Sequence, residues 1–348
     1  MPSIESTMNR AAIVRRAQRP DADRRPSPGA RTAAALLLSV VAFAGAAASE
    51  SPPLAVVDIA NDYVAFWDAT QVLPTPERVA RFKRDVAPKF PAFYGIARHG
   101  GRITQERQDA RIANAIESFG PMRDAYRAKA ASFAQDVAAA MPPFLAAFPD
   151  FKPDVTVYVL HSLGEMDGGT RTLDGTRYLV FGVDGMVRFH SGAREAAFFH
   201  HELFHVHHAT HFGDCEAVWC GLWQEGLAVH VANELNPGST SSELLLDIPP
   251  GLVPDTERQL AASLEQLASV LDSTDRRRVS GLFSGGAADG TGLPARRGYY
   301  LGLLVAREVA KGRDLDALAK LSVPQAQPLV AEAVKSLLAR ASQDGAAR

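Results

Sequence analysis

With 348 residues, 47% of them hydrophobic and 22% charged, the chain is long and apolar enough to bury a sizeable core, which excludes a disordered or fibrous protein. The net charge of −2 hides an asymmetry: residues 1–48 hold seven Arg and three acids, and the remainder carries 30 Lys and Arg against 36 Asp and Glu, a net −6. A mildly acidic body argues against a dedicated nucleic-acid binder, which needs a basic face.

In chain order, the first element reads as an address. Arg10, Arg15, Arg16, Arg19, Arg24, Arg25 and Arg31 precede a 17-residue apolar run, Thr32 to Ala48, that ends in Ala46-Ala47-Ala48. A basic stretch, a short apolar run and a small-x-small end are the pattern of a cleaved signal peptide, here 1–48. A membrane span needs about 20 strongly apolar residues, so an uncleaved anchor is the alternative and the one membrane contact expected. The mature protein is therefore expected to be exported, either periplasmic or secreted. Cys215 and Cys220, the two cysteines of the chain, then read as a disulfide. So small a loop contributes about 2 kcal/mol.

Residues 49–150 form an N-terminal helical region that opens with a short linker, 49–53. Thr75-Pro76-Glu77 starts a helix with Val79, Phe82, Val86 and Phe90 at helical spacing. A second helix runs from Thr104 to Gly120 and a third from Arg123 to Ala140. No chemistry is assigned to them.

The period changes at Pro153, opening a second region, 151–348, expected to be the catalytic domain. Val155, Val157 and Val159 alternate with Thr156, Tyr158 and Leu160, a strand signal. Turns at Gly168-Gly169 and Asp174-Gly175 lead to a second strand, Arg177 to Val183, closed by Asp184-Gly185. Helices follow from Ala193 to His211, breaking at Gly213, and from Trp223 to Leu235. Later helices are expected over 254–272, 297–311 and 324–341, the last two joined by Gly312-Arg313-Asp314, with a Gly-rich loop over 285–292. The fold class is thus α+β, mostly helical, with a small β-sheet ahead of the helix that carries the chemistry.

That helix contains His201-Glu202-Leu203-Phe204-His205. Four residues turn a helix through about 400°, so both imidazoles share a face, about 6 Å apart along the axis. Neutral imidazoles at this spacing suit Zn²⁺, and Glu202 is placed to take a proton from water. Two residues compete for the third ligand. Glu225 follows His205 by 20 positions, in Gln224-Glu225-Gly226-Leu227-Ala228, where small residues would let its helix approach the first. His211 follows His205 by six, but the residue that must turn sharply before it is His208 rather than Gly.

His201, Glu202, His205 and Glu225, with the Glu-Gly-Leu-Ala run and Gly298-Tyr299-Tyr300-Leu301-Gly302, resemble the gluzincin zinc peptidases, most closely the bacterial predicted Zn-dependent protease and peptidase-MA-like families. The resemblance covers about residues 150–340. It implies a zincin-like domain, one catalytic Zn²⁺ on His201, His205 and Glu225, Glu202 as general base, and a peptide or protein substrate paired with an edge strand. The chain departs from thermolysin at Val229, where an Asp orients a ligand His; His208, Asp214 and Asn233 are the candidates to replace it. Tyr299 and Tyr300 either donate to the reaction's oxyanion or pack a helix, and Tyr299 holds the Tyr of the glycine-flanked motif. His230 is read as a satisfied core histidine, with donation to the oxyanion as its alternative, and Arg296 and Arg297 as a solvated pair, with receipt of a substrate carboxylate as theirs. Loss of peptidase activity, leaving a zinc-binding scaffold, or hydrolysis of another carbonyl substrate at the same site are the competing functions.

Overall fold

The computed structural model describes residues 54–190, 194–284 and 289–346; the expected signal peptide, the linker 49–53 and residues 285–288 of the Gly-rich loop lie outside these. The architecture is α+β and mostly helical, with one four-stranded mixed sheet. The first strand, β1 (Val56–Asp58), belongs to the segment expected to be helical. Three residues carry no periodicity, so only its parallel pairing with a strand 100 positions on reveals it.

Helices α1 (Ala60–Thr70), α2 (Thr75–Asp85), α3 (Pro91–Tyr94) and α4 (Gln105–Ser118) follow. Thr104 caps α4 by accepting from Arg107 N at 3.3 Å. Helix α5 (Arg123–Ala147) runs through Pro142 and Pro143, past its expected end at Ala140. Tertiary packing overrides the prolines, because Phe144 and Phe148 are fully buried and stack around His200, Phe204 and His207.

Strands β2 (Thr156–Leu160), β3 (Gly168–Leu173) and β4 (Thr176–Gly182) complete the sheet in the order β1-β2-β4-β3. Strand β4 runs parallel to β2 and antiparallel to β3. Asp174 and Gly175, with φ of 49° and 77°, form the two-residue hairpin turn whose left-handed geometry matches strand twist. Two expectations are corrected here. Gly168-Gly169 is not a turn but the start of β3, because the tight hairpin beyond it pairs Gly168 with Phe181. The strand at 177–183 lies inside the sheet, and β3 forms one of its two edges. Asp184-Gly185 does not close a strand but begins α6 (Val183–Phe189), where the buried Asp184 accepts from Ser162 N at 2.6 Å and Gly164 N at 2.8 Å.

The remaining helices are α7 (Ala196–Phe212), α8 (Val218–Leu235), α9 (Leu252–Arg258), α10 (Leu260–Val270), α11 (Arg276–Phe283), α12 (Arg297–Val309), α13 (Leu315–Ala319) and α14 (Val323–Ala346). The helix expected over 254–272 is two, and the Gly312-Arg313-Asp314 turn leads into α13, capped by Asp314 accepting from Ala317 N at 2.7 Å. Residues Pro53–Arg348 form one compact unit. Its core joins both halves of the chain: Phe133 of α5 meets Phe181 of β4 and Phe199 of α7 edge-on, at 5.1 and 5.7 Å between ring centroids.

No helix among the described residues is long and apolar enough to cross a membrane. Cys215 and Cys220 form a disulfide, Cα atoms 6.0 Å apart, compatible with an oxidising location.

Candidate metal centre

Three elements build the site. Helix α7 presents His201 and His205 with Nε2 atoms 3.0 Å apart, and Glu225 Oε2 of α8 lies 3.4 Å from each. Ligands held tetrahedrally at about 2.0–2.1 Å from a zinc ion stand about 3.3–3.4 Å from one another. The donor set therefore fits a zinc ion in both chemistry and spacing. His211 does not join it: its ring lies against His207, centroids 4.9 Å apart.

Glu225 is two turns into its helix, not at the start of one as expected, because α8 begins at Val218. There Val218 N and Trp219 N donate to Ser273 O and Leu271 O, both at 2.9 Å, satisfying amides that would otherwise be orphaned. Gly226 does not open the approach to α7, as anticipated, but to α12. A Cβ built on Gly226 would fall 2.2 Å from the carbonyl carbon of Gly302, and one on Gly302 would fall 2.6 Å from Leu222 O. The Glu-Gly run and the Gly-Tyr-x-x-Gly segment are thus two halves of one close helix crossing. That crossing sets Glu225 against the imidazoles and Tyr299 on the wall of the same cleft.

The cleft has a volume of about 470 Å³ and is lined by Glu202, the three metal-type ligands, Gly168 to Arg171 of the edge strand, Arg296 and Tyr299. Gly168 lets β3 lie close on α7, since a Cβ there would meet the Phe198 ring at 2.4 Å. No residue of 54–150 lines the cleft.

Electrostatics divide the acids. Burial pushes the Glu202 carboxyl up, against the pull of His201 and His205, and the Asp167 and Glu225 carboxylates push it further. A carboxylate that readily takes a proton is what a general base needs. Burial opposes charge on His205, but Glu225 outweighs it and lifts the imidazole to about 9. Burial likewise opposes ionisation of Glu225, yet the two imidazoles hold it well below the usual carboxylate range. Burial also raises the Tyr299 phenol, with Glu225 adding to it, so Tyr299 stays a protonated donor.

The other candidates separate cleanly. Tyr300 is buried and hydrogen-bonds Glu257, away from the cleft. His230 is buried with Nδ1 3.8 Å from Glu234 Oε1, also outside it. Arg297 is buried and bound to Asp289 Oδ2 at 2.6 Å and Gln266 Oε1 at 2.9 Å, whereas Arg296 stacks on Tyr299 and faces the cleft. Of the residues suggested to orient a ligand imidazole, His208 stacks between Phe204 and Phe212, Asp214 is exposed, and Asn233 reaches only Glu234. Burial pushes His208 down to about 3, which keeps it neutral. His200 is a core histidine, its Nε2 2.9 Å from Ala140 O and its Nδ1 2.7 Å from Asn236 Nδ2.

Sequence reasoning missed Asp167 and His190, a pair at 2.9 Å in which His190 is buried and the half-buried Asp167 carboxylate lines the cleft beside Glu202. No spacing rule links them; the β4–β3 pairing brings Asp167 to α7. Comparison of the chain with family models, with curated proteins and with solved structures finds no match.

Proposed function

We propose that the protein is an exported zinc metallopeptidase of the gluzincin kind, with residues 151–348 as its zincin-like domain and one zinc ion on His201, His205 and Glu225. The observation that carries this reading is the near-equilateral triangle of donor atoms, 3.0, 3.4 and 3.4 Å on its sides, with Glu202 beside it on the same cleft. A bound zinc ion supplies Lewis acidity, bringing the pKa of water to roughly 7 and polarising a carbonyl.

The chain's own residues do the rest. Glu202 takes the proton from the attacking water and delivers it to the leaving amine, a role matched to its raised pKa. The Tyr299 hydroxyl donates to the oxygen on which charge develops. An extended peptide pairs with the free edge of β3 along Gly168–Arg171, and Arg171 and Arg296 draw acidic groups of the substrate.

The test is purified mature protein with one zinc per catalytic centre, assayed on a broad peptide library beside Glu202→Gln. Cleavage lost in the variant at unchanged zinc content supports the reading; equal cleavage in both proteins overturns the mechanism. Zinc without cleavage in the wild type would instead support a zinc-binding scaffold, a reading favoured by the lack of a carboxylate bound to the far nitrogen of either ligand imidazole among the described residues.

A further inference from the structure

Helix α7 carries a second pair of imidazoles one turn apart. His207 and His211 have ring centroids 4.9 Å apart at 71°, close to the 4.6 Å and 82° of His201 and His205. Six positions separate the two pairs, which turns the second about 240° around the helix axis. It faces α13 and the connection from α5 to β2, not the cleft.

Two carboxylates wait there, from different parts of the chain. His207 Nε2 lies 3.9 Å from Asp150 Oδ1, and one donor atom each of His207, Asp150 and Asp316 falls within 4.8 Å of the other two. His207 is 2% exposed, and its Nε2 has no hydrogen-bond partner. A gap of 3.9 Å is too long for a hydrogen bond. Tetrahedral donors at about 2.0–2.2 Å from one divalent ion stand about 3.3–3.6 Å apart, a few tenths of an ångström closer than this pair. Asp150 is exposed and Asp316 half-buried, so both carboxylates can swing to close on an ion once Lys320 releases them.

We propose that His207, Asp150 and Asp316 form a second divalent-metal site that ties α13 and the α5–β2 connection to α7. A mixed imidazole and carboxylate set suits a transition-metal ion of the Zn²⁺ and Co²⁺ type. Its role is structural, since the site opens to no cleft that holds Glu202. The Lys320 ammonium, 3.1 Å from Asp150 and 2.8 Å from Asp316, competes for the same oxygens. Its long exposed stem lets it swing out to solvent when an ion enters. The inference uses none of the residues of the proposed catalytic centre and stands or falls apart from it.

The experiment is Co²⁺ titration of the metal-stripped mature chain, followed by visible absorbance, with melting temperature recorded at each equivalent. Wild type is expected to take two equivalents. His201→Ala/His205→Ala is expected to keep one, and adding Asp150→Asn/Asp316→Asn to remove it. The two amides nearly preserve shape at surface positions, so circular dichroism is expected to stay unchanged. In the otherwise wild-type chain, the same Asn pair is expected to leave one equivalent and full peptide hydrolysis. Lys320→Met is expected to tighten the second equivalent about tenfold, because a competing charge is gone. A His201→Ala/His205→Ala chain that takes up no Co²⁺, or an Asn pair that leaves the second equivalent in place, overturns the site. So does a Lys320→Met chain with unchanged affinity. If hydrolysis fails while two equivalents bind, the peptidase reading falls and this site stands.

Discussion

Helix α7 shows the same four-residue His spacing on two of its faces, and the faces differ in what meets them. On the cleft face, a single carboxylate from α8 closes at 3.4 Å on both imidazoles, and Glu202 follows the first His. On the other face, two carboxylates from distant segments stand farther off around His207, with Lys320 among them. The position equivalent to Glu202 there is His208, a neutral ring held between Phe204 and Phe212. Spacing thus makes a helix able to hold an ion; the partner element and the next residue along decide whether chemistry follows.

The sharpest way to separate the faces is Glu202→Gln. Loss of the proposed general base is expected to lower kcat/KM by about 10²–10⁴-fold while zinc content holds, measured by steady-state hydrolysis and metal analysis. Second comes the crossing that delivers Glu225. Gly226→Ala places a methyl within 2.2 Å of Gly302 backbone, so urea denaturation is expected to show a loss of about 3 kcal/mol or more, with weakened zinc binding on the cleft face alone. Gly221→Ala, whose Cβ meets the Phe283 ring at 3.4 Å, serves as its control and is expected to stay within about 0.5–1 kcal/mol of wild type. A third comparison sets adjacent tyrosines apart: Tyr299→Phe is expected to cost about 10²-fold in kcat, Tyr300→Phe only about 1 kcal/mol of stability through its bond to Glu257. Equal kinetics for the two variants would remove Tyr299 from the mechanism.

The smallest effect needs no metal and calibrates the others. Burial opposes ionisation of Glu165, but Arg98 and Arg111 hold its carboxyl down to about 2. A depressed carboxylate stabilises the fold above its ordinary pKa, so that stability is fully present above about pH 4.5 and is lost as pH falls toward 2. Acid titration of unfolding is expected to lose about 2 kcal/mol across that window in wild type, less in Glu165→Gln, and identically with or without a chelator.

Much of the fold was legible because it is local. Helical spacing placed α2, α4 and α7 to within a few residues, and Asp174-Gly175 marked its hairpin turn. Strand β1 was not legible, because three residues gain their strand character only from β2. Strand β3 was misread because Gly168, a residue usual in turns, here serves the close contact with Phe198. The triangle of His201, His205 and Glu225 could be anticipated from motif spacing and resemblance, whereas Asp167 and His190 meet only through strand order.

By itself, the sequence determined that His201 and His205 share one helix face, that a carboxylate follows the first His, and that small residues follow Glu225. These are consequences of 3.6 residues per turn and of glycine's missing side chain, and need no neighbours. Only the tertiary structure decided that Gly226 meets Gly302, that Glu225 rather than His211 completes the cleft triangle, and that Asp150 and Asp316 converge on His207. Those contacts join segments tens to more than a hundred residues apart, and the packing of whole helices around a shared core, not any local preference, selects which side chains meet.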